Sequence, residues 1–230
     1  PHDPATVYIA FNRYKFDDFK PYILKSTNYG KTWKVYNNGI EKNSFVRVVR
    51  EDNVKKGLLY AGTERGIYLS TDGGENWDQW QRNLPIVPIT ALKVHQNDLV
   101  VATQGRGFWI YDDLTPIHEL SEETKDKNVH MFEVEDNHKV LFSAMRRQGP
   151  LGKNPYYGTE IKYFIRDYNE EDSLELKVEI RNNKSEVIRT FSSEGKYNSN
   201  RINLKQGYAT IKWGGDVDGF IPPKGVMVPR

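Results

Sequence analysis

The feature that most limits how this chain can fold is a repeated octet. Ser70-Thr71-Asp72-Gly73-Gly74-Glu75-Asn76-Trp77 has an earlier copy in Ser26-Thr27-Asn28-Tyr29-Gly30-Lys31-Thr32-Trp33, and the two are offset by 44 residues. A hairpin turn needs residues that tolerate positive φ, here Gly30 and Gly73 or Gly74. It also needs side-chain oxygens to bond the exposed amides, here Ser26 with Asn28 and Ser70 with Asp72. Trp33 and Trp77 give each copy an apolar plate to pack between neighbouring sheets. Self-similarity at a period of about 40 to 50 residues in a strand-rich chain predicts β-propeller blades. Ser26, Asn28, Gly30, Thr32, Trp33, Ser70, Asp72, Gly74 and Trp77 are then structural residues of the turns.

A third copy survives without its octet. Leu58 to Ala61 and Arg65 to Leu69 align with Leu99 to Ala102 and Arg106 to Ile110 at an offset of 41 residues, and Asp113 falls where Asp72 sits. Around these landmarks, alternation and turn residues predict strands at Thr6 to Phe11, Tyr22 to Lys25 and Thr32 to Tyr36, with a charged and aromatic insertion over Asn12 to Lys20. Further strands are expected at Phe45 to Arg50, Leu58 to Ala61, Gly66 to Ser70, Trp77 to Trp80, Ile89 to Val94, Leu99 to Thr103 and Phe108 to Tyr111. Residues 1–115 therefore read as the last two to three four-stranded blades of a propeller.

Over 116–157 the pattern becomes a connection. Thr115-Pro116 predicts a short helix to about Ser121, Val140-Leu141-Phe142 a further strand, and the Gly- and Pro-rich run Arg146 to Pro155 a linker. From 158 to 230 strong alternation returns at Ile161 to Ile165, Leu174 to Ile180, Val187 to Phe191 and Tyr208 to Trp213, with Asn182-Asn183 as a turn that tolerates positive φ. This predicts part of an immunoglobulin-like β-sandwich. The fold class is thus all-β throughout.

Composition narrows the function classes. Thirty-three basic residues against 31 acidic ones leave a net charge of +2 and no basic tract, so nucleic acid is not an expected partner. The chain has no cysteine, which excludes disulfides, thiol catalysis and cysteine-based zinc sites. No run of 18 apolar residues is present to span a membrane. The five histidines, His2, His95, His118, His130 and His138, lack metal-ligand spacing, and Gly105-Arg106-Gly107 lacks the third glycine of a phosphate loop, so no metal or cofactor is expected.

Both octets resemble the Asp-box of sialidase-like and sortilin-like propellers, with Asn28 in place of the aspartate and Asn76 in place of the threonine. Longer strings, Asp17 to Tyr22, Phe45 to Asp52, Gly57 to Glu64 and Asn97 to Asp113, resemble the bacterial BNR or Asp-box repeat "glycosyl hydrolase" family, whose propeller is similar to those of sortilin and xyloglucanase. The resemblance is close over 1–115 and looser around Gly207 to Trp213. It implies a C-terminal segment of a longer extracellular or bacterial envelope protein, with the remaining blades of the parent chain as partners. The implied role is recognition of a carbohydrate or peptide ligand. Alternatives are a scaffold part of a polysaccharide-degrading glycoside hydrolase and a sortilin-like protein receptor.

In a four-stranded blade the loops joining the second and third strands share a face with the crossovers between blades, and the octet turns lie opposite. This sorts the candidate ligand-binding residues onto one face: Arg13, Tyr14, Arg65, Gln104 and Arg106. Glycoside hydrolysis needs two carboxylates about 5 to 9.5 Å apart, and apart from Asp112 and Asp113 at a blade edge only Asp17, Asp18 and Glu64 are placed on this face to supply them; no catalytic constellation is otherwise identifiable. Tyr14, Phe19, Trp80 and Trp109 offer either ring platforms for sugars or packing between blades.

Overall fold

The structure is a computed structural model that describes residues 1–137, 158–169, 174–196 and 199–218. The chain forms two units, Pro1–His118 and Glu119–Arg230. Nearly all regular structure is antiparallel β, and the first unit is a partial β-propeller.

Its middle blade is complete. Strands β4 (Val46–Glu51), β5 (Leu59–Thr63), β6 (Gly66–Ser70) and β7 (Asp78–Gln79) follow one another in the sheet as they do in the chain. The blade before it has β1 (Val7–Arg13), β2 (Asp18–Ser26) and β3 (Lys34–Val35), and the blade after it has β8 (Ile89–His95), β9 (Asp98–Thr103) and β10 (Phe108–Tyr111). Strand β4 packs against both β1 and β8. Matching the octets, which sit between β2 and β3 and between β6 and β7, aligns β1 with β5. The first blade therefore holds the second, third and fourth strands of the motif, and the third blade holds the first three.

Every residue of β5 is buried because apolar material covers both faces of its sheet. Leu59 and Ala61 join Ile23, Val46, Tyr68 and Trp77 on the side of the first blade, while Tyr60 joins Val48, Ile67, Ile89, Leu92 and Val101 on the side of the third. Sequence alternation alone would leave one face wet, but a middle blade has none. Gly62 permits the close approach of the third blade, since a Cβ there would lie 2.6 Å from Ile89 Cγ2 and 2.7 Å from Val48 Cγ1.

The octets form turns through the bonds their chemistry dictates. Ser26 Oγ accepts the Gly30 amide and Asn28 Oδ1 accepts the Thr32 amide; Ser70 Oγ accepts the Gly74 amide and Asp72 Oδ1 accepts the Asn76 amide. The two tryptophans differ. Trp77 is buried, with its Nε1 donating to Tyr36 O and its backbone amide to Asn38 O, both on the exit segment of the first blade. Trp33 is 39% exposed and its Nε1 donates locally to Gly30 O. The plate packs between sheets only where a blade precedes the octet.

Other expectations change in detail. The insertion over Asn12 to Lys20 is the tip of a long hairpin: β1 runs on to Arg13, a single 3-10 turn covers Tyr14–Phe16, and Asp18 pairs back with Arg13. The helix at Thr115-Pro116 is only four residues, α1 (Thr115–His118). Ser121 ends nothing; it caps the next helix, α2 (Glu122–Asp126), by accepting the Thr124 amide.

In the second unit β11 (Val129–Met131), β12 (Thr159–Ile165) and β15 (Gly207–Trp213) make one sheet, and β13 (Lys177–Arg181) and β14 (Val187–Ser192) make another. Ile161, Tyr163, Ile165 and Ile211 from the first meet Phe191 from the second in one apolar core, so the pair is a sandwich. Strand β11 comes from the stretch read as connection. In the β13–β14 turn the positive-φ residue is Ser185, at 64°, while Asn182 contributes its side-chain oxygen to the Lys184 and Glu186 amides. The strand expected at Val140 to Phe142, the linker at Arg146 to Pro155 and His138 lie outside the described residues.

Candidate functional site

Strand β2 covers nine residues from the hairpin tip to the first octet, about 30 Å at ~3.3 Å per residue. Tips and octets therefore open onto opposite ends of the first unit, and each end carries a cleft.

The octet-side cleft, about 510 Å³, is lined by Tyr8, Lys25, Glu51, Lys56, Asp72 and their neighbours. Its charges are largely spent on structure. Lys25 Nζ lies 5.3 and 4.9 Å from the ring centres of Tyr8 and Tyr36 and donates to Gly73 O at 2.9 Å, tying the first blade to the turn of the second. Glu51 accepts the Gly57 amide, and Asp72 holds its own octet. Burial pushes the Tyr8 hydroxyl up to about 12.

The tip-side cleft is different. About 500 Å³ in volume, it is lined by Asn12, Arg13, Tyr14, Lys15 and Phe16 from the hairpin, Arg47 from β4 and Thr90 from β8. Three cations face it, and no carboxylate is among its lining residues. Tyr14 lies flat on Phe45, with ring centres 5.0 Å apart and planes at 15°, which fixes its orientation although it sits on a loop. Phe45 is buried behind it, with the Arg47 guanidinium 5.1 Å from its ring centre. The Phe16 ring is 78% exposed, with Arg13 Cζ 6.0 Å from its centre. The cleft thus combines ring faces with guanidinium and ammonium groups.

Two of the three acids expected on this end, Glu64 and Asp18, are committed. Arg47 donates to Glu64 Oε2 through Nε at 2.7 Å and lies 2.6 Å from it through Nη2. Asp18 accepts the Tyr22 hydroxyl at 2.9 Å and the Lys20 amide, with Arg13 at 3.7 Å. The Tyr22 hydrogen bond holds the Asp18 carboxyl below the usual carboxylate range. Asp17 is exposed, at φ 61°, where it closes the 3-10 turn.

Of the ligand-binding candidates, Arg13 and Tyr14 line the cleft. Arg65 instead pairs with Glu41 at 3.5 Å, and Gln104 and Arg106 sit on the exposed β9–β10 loop outside the lining. Sequence reasoning missed Arg47, Lys15 and Phe16. The sign that could have found Arg47 is its place in Phe45 to Arg50, where a charge interrupts an apolar run in the first strand of a new blade. Trp80 stacks on Tyr111 at 4.4 Å and Trp109 donates to Arg106 O, so both serve the blades. No group of three metal-ligating side chains occurs among the described residues.

The sequence matches no protein-family model and none of the curated proteins. Among solved structures it is similar to YCF48 bound to D1 peptide, at 20% identity over 40% of this chain and 31% of that one, with a TM-score of 0.31. It is also similar to an ancestral GH74 enzyme, at 15% identity over 84% of this chain and 26% of that one, with a TM-score of 0.39. The chain spans about a quarter to a third of the length of these two. The three blade sheets of this chain display the β-propeller fold class.

Proposed function

We propose that the chain is a recognition module that holds a glycan or peptide on the tip side of its blades without cleaving it. The observation that carries this reading is the state of the acids. Glycoside hydrolysis needs one carboxyl held protonated and another facing it across the substrate. Here Asp18 is held ionised by its hydrogen bonds, Glu64 is neutralised by Arg47, and neither of them, nor exposed Asp17, lines the cleft. What the cleft does offer is Tyr14, Phe16, Asn12 and three cations, which suit binding by stacking and hydrogen bonding.

The test is an array of glycans and peptides probed with the 230-residue chain, with reducing ends assayed in parallel. Retention that is lost on Tyr14→Ala, with no release of reducing ends, is the expected result. Release of reducing ends, or retention indifferent to Tyr14 and Arg13, overturns the proposal.

A further inference from the structure

We infer that the ligand of the tip-side cleft is a polysaccharide of uronic acid units, an inference that rests on the recognition reading above. Two properties of the cleft must be met by one ligand. The first is charge: Arg13, Lys15 and Arg47 line it, and no acid among the lining residues balances them. Arg47 is occupied by Glu64, but Arg13 meets Asp18 only at 3.7 Å, beyond hydrogen-bonding reach, and its side chain is 51% exposed. A planar guanidinium with free N–H groups is suited to a carboxylate, which it can grip through two parallel hydrogen bonds.

The second property is flatness. Tyr14 is held parallel to Phe45 and cannot turn edge-on without breaking that stack, and Phe16 exposes its ring beside Arg13. Rigid ring faces match the C–H face of a pyranose, which is apolar and equally flat. A uronate unit carries both features at once, because its carboxylate is fixed to the ring. An acidic peptide carries carboxylates on flexible stems with no flat apolar face, and ordering those stems costs side-chain entropy. A neutral sugar would give Arg13 and Lys15 no anionic partner within the cleft.

The experiment is calorimetric titration of the 230-residue chain with oligogalacturonate, and with the same oligomer after methyl esterification, which keeps the ring and removes the charge. Esterification is expected to weaken binding about tenfold, the scale of one charge-assisted hydrogen bond. Arg13→Gln is expected to do the same to the acid oligomer while leaving the ester unaffected. Phe16→Ala is expected to weaken both; the exposure of that ring keeps the fold intact, which far-UV circular dichroism checks.

Equal affinity for acid and ester, with Tyr14 still required, would overturn the uronate assignment and leave the recognition module standing. Tighter binding of poly-glutamate, of a sulfated neutral glucan or of oligo-dT would overturn it in favour of that class. No binding of any glycan or peptide would overturn both readings.

Discussion

Replacing the tryptophan of each octet with phenylalanine separates two roles that one motif conceals. Trp77→Phe removes the donor to Tyr36 O in a buried setting, which costs about 1 to 2 kcal/mol for an unsatisfied carbonyl. The indole is also larger than the phenyl ring, and the lost contact and the residual cavity cost a further ~1 to 2 kcal/mol. The sum is about 3 kcal/mol, equivalent to a fall of roughly 10 °C in the melting temperature of a unit of this size. Trp33→Phe loses a local bond on a partly exposed ring and is expected to cost about 0.5 kcal/mol, near 2 °C. Calorimetry on the two variants, with urea melts followed by circular dichroism, reads the difference. Equal shifts, or a loss below about 1 kcal/mol for Trp77→Phe, would refute the idea that this ring bolts the second blade to the first.

Three other outcomes follow from the first unit. Tyr29 occupies the place of Gly73 in the octet, at φ 60° and 74% exposed, so Tyr29→Gly relieves left-handed strain and should stabilise by about 0.5 to 1 kcal/mol in a urea melt. Buried Asp52 accepts the Tyr60 hydroxyl, the Val54 and Lys55 amides and a bond with the His118 ring. Burial, the largest single influence, pushes its carboxyl up, but these bonds together hold it below its ordinary value. Its contribution is present above the unfolded pKa of about 4 and lost as pH falls through the folded one. The melting temperature should therefore drop on acidification below about pH 4; Asp52→Asn should lower the unfolding free energy by about 2 to 3 kcal/mol at neutrality and flatten that drop. Tyr8 and Tyr111, each pushed up to about 12 by burial, should ionise late in an absorbance titration at alkaline pH, with the more deeply buried Tyr60, pushed up further still, after them. The stability they carry is complete below about pH 10 and lost as pH rises through about 12; Tyr111→Phe should remove part of the late step.

The blades were legible because their signals are local. A turn that needs Ser26 to catch the Gly30 amide announces itself in eight residues, and strands β8 to β10 follow from alternation alone. The cleft was legible only in part, since it is built from sequence neighbours and distant residues together. Arg13 and Tyr14 could be placed by counting along one hairpin. Arg47 and Thr90 reach the same space through the packing of β4 and β8, which no spacing in the chain records. Length also misled: a 3-10 turn of three residues between Arg13 and Asp18 turned an expected insertion into a paired hairpin, because bulky side chains at a tip look like a loop until their neighbours pair.

Each seam beside the middle blade combines apolar packing with polar bonds, and the apolar cluster is the larger at the second. The first is laced by polar bonds, from Trp77 to Tyr36 O and Asn38 O and from Lys25 and Tyr8 to Gly73 O. The second has the larger apolar cluster, with Tyr60, Ile89, Leu92, Val101 and the Trp80–Tyr111 stack, and its polar bonds run from the Tyr111 hydroxyl to Trp80 O and Gln81 O and between His118 and Asp52. Apolar attraction fades on cooling, whereas hydrogen bonds do not share that dependence. Cooling should therefore weaken the second seam by more than the first: near freezing, amide exchange should quicken in β8 to β10 before it does in β1 and β2.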